Sequence, residues 1–438
     1  MNFLENVWWL LVLIGIMILI HELGHFWAAR MFDVKVEAFS FGFGPRLFGF
    51  RRGETDFRFS LILFGGYVKM AGEQAGEDSV ADPRSFLSKP RWQRLIIAFA
   101  GPLMNIILAV VLVTGLYSFH YPRIPVTHSP TVGFVTAEGA AAKAGIKEGD
   151  RILRVDDIND PTWEDIAMKE VAGANRPLTV LVERPDKRQD LISLTPVLDD
   201  RHGVGVAGWS EQMPVQVSSV EPGMEAERAG LKKGDIITTA GGQQVRSTLK
   251  LHEAMKISEG RPVEITYLRE GKENKVSVKP QFKTLEGQGR WLIGVRLESP
   301  VTYVQLPITQ AFAESIKANY RNGGLILQFL KGIAERRMSP KSLEGPIRIA
   351  QISTEAAREG PSSFIGLMAM VSLNLAIFNL LPIPILDGGV ILLLFIEMLM
   401  RRDLSLTVKE TVFKIGFVFL MMVVVFVLYN DITKILPG

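Results

Sequence analysis

Residues 7 to 20 form an unbroken apolar run, and it ends on Ile20-His21-Glu22-Leu23-Gly24-His25. A bilayer core takes about 20 apolar residues in a helix. The three ionisable side chains therefore fall within the membrane or near its far face. Such groups are costly at that depth and mark function by default. On a helix, residues four apart share one face, so His21 and His25 present two imidazoles to one point. That spacing binds zinc, and Glu22 stands beside the point, where it can take a proton from the attacking water. The bland alternative is a chance HExxH whose histidines are merely hydrogen-bonded. Three ionisable groups in five positions, at ligand spacing, weigh against it.

The rest of the composition narrows the chemistry. A chain of 438 residues is too long for one ordinary domain. A mean hydropathy of +0.20 with 22% charged residues fits apolar spans joined to a soluble portion. The net charge of +3 gives no reason to expect nucleic acid as a partner. There is no cysteine, which excludes disulfides and thiolate metal sites; only His, Asp or Glu can hold a metal. No Lys or Arg precedes the first run, so it lacks the basic start of a cleavable signal and reads as a retained membrane helix. His120, His128, His202 and His252 have no ligand spacing and read as ordinary loop or surface residues.

Taken in order, residues 1–32 form the first span. Residues 33–92 change character: 34–41 and 57–70 alternate apolar and polar residues with many β-formers, punctuated by Gly42-Phe43-Gly44-Pro45 and Gly65-Gly66. Phe41, Phe43, Leu47, Phe48 and Phe50 make this hairpin very apolar for a surface loop. It reads either as a membrane-associated sheet whose free edge pairs with an extended peptide, or as an ordinary packed hairpin. Residues 93–120 form a second span containing Gly101-Pro102-Leu103-Met104-Asn105, where Asn105 needs a polar partner such as an interhelical hydrogen bond.

Residues 125–210 and 211–285 carry a repeat. Ala144-Gly145-Ile146-Lys147-Glu148-Gly149-Asp150 matches Ala229-Gly230-Leu231-Lys232-Lys233-Gly234-Asp235, each followed by a helix and closing strands. This resembles two tandem α+β PDZ domains, acting as peptide binders or as steric spacers. Residues 290–360 read as a linker with an amphipathic helix over 311–338 that ends at Arg336-Arg337. Residues 361–395 form a third span, broken by Asn379-Leu380-Leu381-Pro382-Ile383-Pro384-Ile385-Leu386-Asp387-Gly388-Gly389. Two prolines two apart force extended backbone, tolerated at this depth only beside protein or a water-filled cavity. Asp387 on that break is the best candidate for a third zinc ligand, leaving one position open for water; the bland alternatives are a simple proline kink and a helix-capping aspartate. Asn379 can donate a hydrogen bond to a substrate carbonyl or developing oxyanion. Residues 408–431 form the fourth span.

Arg46, Arg51, Arg52, Arg58, Arg91 and Arg94 fall on the same side as Arg401 and Arg402. The positive-inside rule makes that side cytoplasmic. Both termini and the repeated domains then lie outside, in a bacterium the periplasm, and the HExxH and Asp387 both lie toward the cytoplasmic face.

With these motifs in this order, the chain resembles the site-2 proteases, intramembrane zinc metalloproteases. It is similar to their bacterial branch, which cleaves anti-sigma factors in regulated intramembrane proteolysis. The resemblance rests on His21-Glu22-Leu23-Gly24-His25, Gly42-Phe43-Gly44, Gly101-Pro102-Leu103-Met104-Asn105, the two PDZ-like repeats and Asn379 through Gly389. It implies one zinc ion held by His21, His25 and Asp387, with Glu22 as general base and Asn379 assisting the transition state. It also implies that the hairpin around Gly42, Phe43 and Gly44 pairs with an unwound single-pass membrane substrate. The PDZ pair would admit only substrates already trimmed by another protease. Val390 departs from the pattern, where many relatives carry His. The expected architecture is a multidomain membrane protein of the bacterial inner membrane: a four-helix metalloprotease core, a membrane-associated hairpin sheet and two periplasmic PDZ domains. Two rival readings are a membrane PDZ scaffold that binds exported peptides without cutting, and a membrane-anchored metalloprotease that cuts cytosolic loops. The latter type usually takes its third ligand from a downstream Glu on a soluble helix.

Overall fold

The computed structural model describes residues 3–73, 82–119, 121–123, 130–199, 203–285, 288–298, 302–335 and 339–435. His120, His128, His202, Arg336 and Arg337, named above, lie outside the described residues. The chain divides into two compact units. One holds residues 1–121, 304–327 and 343–438, the other 122–303 and 328–342.

The first unit opens with helix α1 (Phe3–Met31), followed by a hairpin of strands β1 (Val36–Arg52) and β2 (Thr55–Met70) and by helix α2 (Arg91–Ser118). The sequence places a break at Gly42–Pro45. The strand instead runs through it, carrying bulges that bend the hairpin back on itself. The beginning of β1 is consequently held by two stretches of β2 at once: Phe39 pairs with Val68 and with Phe57, Ser40 with Tyr67 and with Arg58. Among the described residues, the stretch 66–70 pairs on one side only, with 36–41, and so forms an edge. Phe26 of α1 meets Phe39 and Phe57 edge-on at 5.7 Å each, which fixes the sheet against the helix. Away from this contact the hairpin remains apolar and exposed, with Phe48, Phe50 and Leu61 all open, as the sequence suggests.

The second unit contains the repeat, with short helices α3 (Ala140–Lys143) and α5 (Glu225–Arg228) and longer ones α4 (Trp163–Ala172) and α6 (Thr248–Ser258). The recurring Gly-Asp pair has a structural reason. Asp150 and Asp235 are both buried. Each accepts a backbone hydrogen bond at 2.7 Å from the residue three before it, Lys147 or Lys232. Each also meets an arginine from the end of a later strand, Arg184 or Arg269. In both copies the sheet closes with a late strand returning to the first: Trp209–Glu211 onto Val132–Val135, and Val295–Glu298 onto Val215–Val220. The second sheet thus continues to Glu298, and Ile293 belongs to its core, beyond the boundary at 285 that the repeat alone suggests.

Five further helices complete the order: α7 (Ile308–Ala334), α8 (Pro346–Glu359), α9 (Pro361–Asn379), α10 (Asp387–Met400) and α11 (Leu406–Ile435). The Asp431 carboxylate of α11 accepts from the Gly345, Ile347 and Arg348 amides, capping the start of α8 from 80 residues away or more. Leu13 and Met17 of α1 are buried against Ala356, Phe364 and Met368, and Trp9 meets Phe364 edge-on at 5.0 Å. Among the described residues, four helices are long and apolar enough to cross a membrane: α1, α2, α9 and residues 407–433 of α11.

Candidate metal centre

The two imidazoles of α1 face one point, as their spacing requires, and a carboxylate from the far end of the sequence arrives there. Nε2 of His21 and Nε2 of His25 are 3.2 Å apart. Asp387 places Oδ2 3.1 Å from His21 Nε2 and Oδ1 3.5 Å from His25 Nε2. Among the described residues, these three form the group of His and acidic side chains close enough to share a metal ion. Bonds of 2.0–2.1 Å at tetrahedral angles set neighbouring ligands roughly 3.3 Å apart. The observed spacings are close to that edge, and two imidazole nitrogens with a carboxylate are a zinc-type donor set with a vertex left open.

Helix α2 supplies the rest of the enclosure. Ile97, Gly101 and Asn105 recur every four residues and share the face that meets α1. The Ile97 carbonyl accepts from His25 Nδ1 at 2.8 Å, which leaves the lone pair of His25 Nε2 free for a cation. A Cβ at Gly101 would stand 2.3 Å from His25 Nε2 and 2.7 Å from His21 Nε2, so only glycine leaves this space open. Asn105 is fully buried, with Nδ2 3.3 Å from His21 Nδ1 and with Oδ1 lacking a partner. Gly24 allows the two helices to approach, since a Cβ there would lie 2.3 Å from the Ala100 carbonyl oxygen.

Asp387 reaches the imidazoles because the chain is broken just before it. α9 ends at Asn379, and α10 starts at Asp387. Between them Ile385 adopts φ +85°, a strained conformation for a β-branched residue that persists only where surroundings enforce it. Here the enforcement is backbone contact. Cβ atoms at Gly388 and Gly389 would lie 2.3–2.4 Å from carbonyl groups of residues 380–383, and one at Gly416 of α11 would lie 2.3 Å from the Pro384 oxygen. The glycines after the aspartate are thus required for the break to nest in the first turn of α10.

A cavity of about 550 Å³ opens on the three donors. Glu22 and Asn379 line it, beside Phe43 and the sheet edge Gly65, Gly66, Tyr67 and Val68. The Val68 backbone amide also reaches the Glu22 carboxylate. Of the hairpin residues singled out from sequence, Phe43 borders the cavity. Gly42 and Gly44 do not, because the fold-back gives the cavity the 65–68 stretch instead. Sequence reasoning missed that edge, and also the roles of Ile97, Gly101 and Asn105. For the α2 residues the signal was available: a four-residue spacing on an apolar helix opposite a four-residue pair of histidines. Val390 lines the cavity but is not among the three donor residues.

An HExxH helix joined by an aspartate from a broken membrane-type helix defines a site-2 type zinc metalloendopeptidase. The chain matches the profile of Peptidase family M50 over residues 9–423 and belongs to that family. It is 35% identical to a chain named zinc metalloprotease from Xylella fastidiosa strain Temecula1, covering 98% of this chain and 99% of that one. It is 30% identical to the regulator of sigma-E protease RseP of Salmonella typhimurium, over 99% and 100% of the two chains. A solved PDZ domain of an SdrC-like protein from Listeria monocytogenes is similar to 20% of this chain and covers 90% of that domain, with 25% identity and a TM-score of 0.18.

Proposed function

We propose that this chain hydrolyses a peptide bond within the membrane-embedded segment of single-pass proteins, with one zinc ion held by His21, His25 and Asp387. The observation that carries the reading is the convergence of the two imidazole Nε2 atoms, 3.2 Å apart, with a carboxylate whose oxygens lie 3.1 and 3.5 Å from them, assembled from two helices and open on one side to a cavity. Bound zinc would supply Lewis acidity toward the scissile carbonyl and its attacking water. Glu22, next to the ligands and lining the same cavity, accepts the proton of that water and returns it to the leaving amine. Asn379, on the cavity wall at the end of α9, donates a hydrogen bond to the substrate carbonyl or to the charge developing on it.

A substrate helix hides its carbonyls in backbone hydrogen bonds, and must unwind before attack. The hairpin beside Phe43 offers an edge at 65–68 whose backbone can replace those bonds. Selectivity then follows local helix instability more than side-chain identity. The likeness to a regulator of sigma-E protease extends the reading to a substrate of the anti-sigma-factor kind. The repeats would act as PDZ domains on the periplasmic side of the inner membrane, either reading a peptide or limiting substrate size. The arginine-rich loops argue for the termini on that same side, with the metal centre toward the cytoplasmic face. A cleavage assay on a reconstituted single-pass substrate tests the reading. Glu22→Gln should retain zinc and lose cleavage; activity near that of the unaltered enzyme would remove Glu22 from the mechanism.

A further inference from the structure

A neutral imidazole carries one N–H, and where that proton sits decides which nitrogen can hold a cation. The two histidines are fixed by different means. His25 is fixed by main chain: its Nδ1–H donates to the Ile97 carbonyl, and no side-chain substitution at Ile97 removes that carbonyl. His21 has a side chain for a neighbour, Asn105, whose amide lies 3.3 Å from Nδ1. If the amide nitrogen donated to Nδ1, the His21 proton would sit on Nε2, directed into the ligand triangle where the cation belongs. The two ends of an amide have nearly the same shape, so the same side-chain position serves with the oxygen facing His21. His21 then donates from Nδ1, and Nε2 keeps its lone pair for the metal.

We infer that Asn105 is a positioning residue for the metal centre: its amide oxygen accepts the Nδ1 proton of His21 and holds that imidazole in the tautomer and orientation that bind zinc. Three features support this assignment. Asn105 is fully buried. It follows Gly101 by four residues and Ile97 by eight, on the one face of α2 that touches both ligands. Its position along the membrane is itself fixed, because Ser372 of α9 donates to the Asn105 backbone carbonyl at 2.9 Å. Partners of this kind set the tautomer of a ligating histidine, and losing one costs roughly 10–100-fold in metal affinity.

The inference rests on the proposed metal centre, and the test separates the two. Zinc affinity is measured by chelator competition on the purified full chain, in the unaltered protein, Asp387→Ala, Asn105→Leu and Asn105→Asp. The visible absorption of the Co²⁺-substituted proteins is recorded in parallel. Asn105→Leu keeps size and removes the acceptor; zinc affinity should fall roughly 10–100-fold and the Co²⁺ bands should change. Asn105→Asp keeps the acceptor and loses the amide donors; it should bind zinc within about threefold of the unaltered protein. A residue that mattered only through its N–H groups would not be rescued by Asp, and one that mattered only for packing would keep its zinc affinity in Asn105→Leu. Should Asn105→Leu fail to fold, the Asp variant decides: zinc loss in a folded Asn105→Asp protein overturns the inference. So does zinc binding by Asn105→Leu equal to that of the unaltered chain. If the unaltered chain and Asp387→Ala bind zinc alike, the metal centre fails, and this inference with it.

Discussion

Helix α10 carries two carboxylates, the half-buried Asp387 at its first residue and the fully buried Glu397 ten residues later, and they are surrounded in opposite ways. Glu397 is fully buried and answered by cations: Lys409 at 2.6 Å and Arg94 at 3.9 Å, with the Leu404 amide donating at 2.9 Å. Asp387 meets two imidazoles whose other nitrogens are held by a main-chain carbonyl and an asparagine. The first is a carboxylate whose countercharges come from the protein itself. The second is a donor set converging on a gap that glycine keeps open. Charge alone does not separate a structural acid from a metal ligand; what separates these two is whether the protein itself supplies the countercharge. Both are tied to α2, Glu397 through Arg94 and Asp387 through the histidines that α2 orients, so one helix pair carries both arrangements.

The largest expected effect tests the incomplete set. Asp387→Ala should reduce cleavage of a membrane substrate to background, while Glu397→Gln should leave measurable turnover in the folded protein; equal losses would erase the distinction. Next comes Glu22→Gln, which leaves the donors untouched. It should lower kcat by roughly 10²–10⁴-fold, with zinc content unchanged by elemental analysis. Gly101→Ala should then weaken zinc binding without unfolding α2, because a methyl at 2.3 Å and 2.7 Å from the two Nε2 atoms displaces a ligand. Alanine is favoured over glycine inside a helix by about 1 kcal/mol, which offsets part of the roughly 1–3 kcal/mol that overpacking costs, so the apo-protein's melting temperature should fall only slightly while zinc affinity falls steeply. Unchanged zinc affinity would mean that the gap is not the cation's place. The smallest effect on the chemistry is expected at Glu397. Glu397→Ala leaves Lys409 without its buried partner and should cost about 3–5 kcal/mol of stability, read as a lowered melting temperature, with zinc still bound by the chain that remains folded.

Much of this was legible in the sequence, for identifiable reasons. HExxH sets its own geometry through the helical repeat, and two prolines before Asp387 announce a break that needs a cavity. The Gly-Asp repeat marked two matching folds because the same buried turn is built twice, at Asp150 and Asp235. What stayed hidden depended on contacts between distant segments. The fold-back of the hairpin, which exchanges Gly42 and Gly44 for the 65–68 edge at the cavity, follows from bulges that strand periodicity does not encode. The closing strand at Val295–Glu298 carries no repeat signature and is recognised only by its pairing with Val215–Val220. Asn105 was visible as a polar residue in need of a partner. Its partner became evident only once α1 and α2 were set face to face.

The central claim is that Asp387 completes a cation site with His21 and His25 while Glu397 does not take part. Zinc per chain in the purified protein tests it most directly, compared among the unaltered enzyme, Asp387→Ala and Glu397→Gln at matched folded fraction. The account predicts about one zinc, almost none, and about one, in that order. A full zinc complement in folded Asp387→Ala would contradict it.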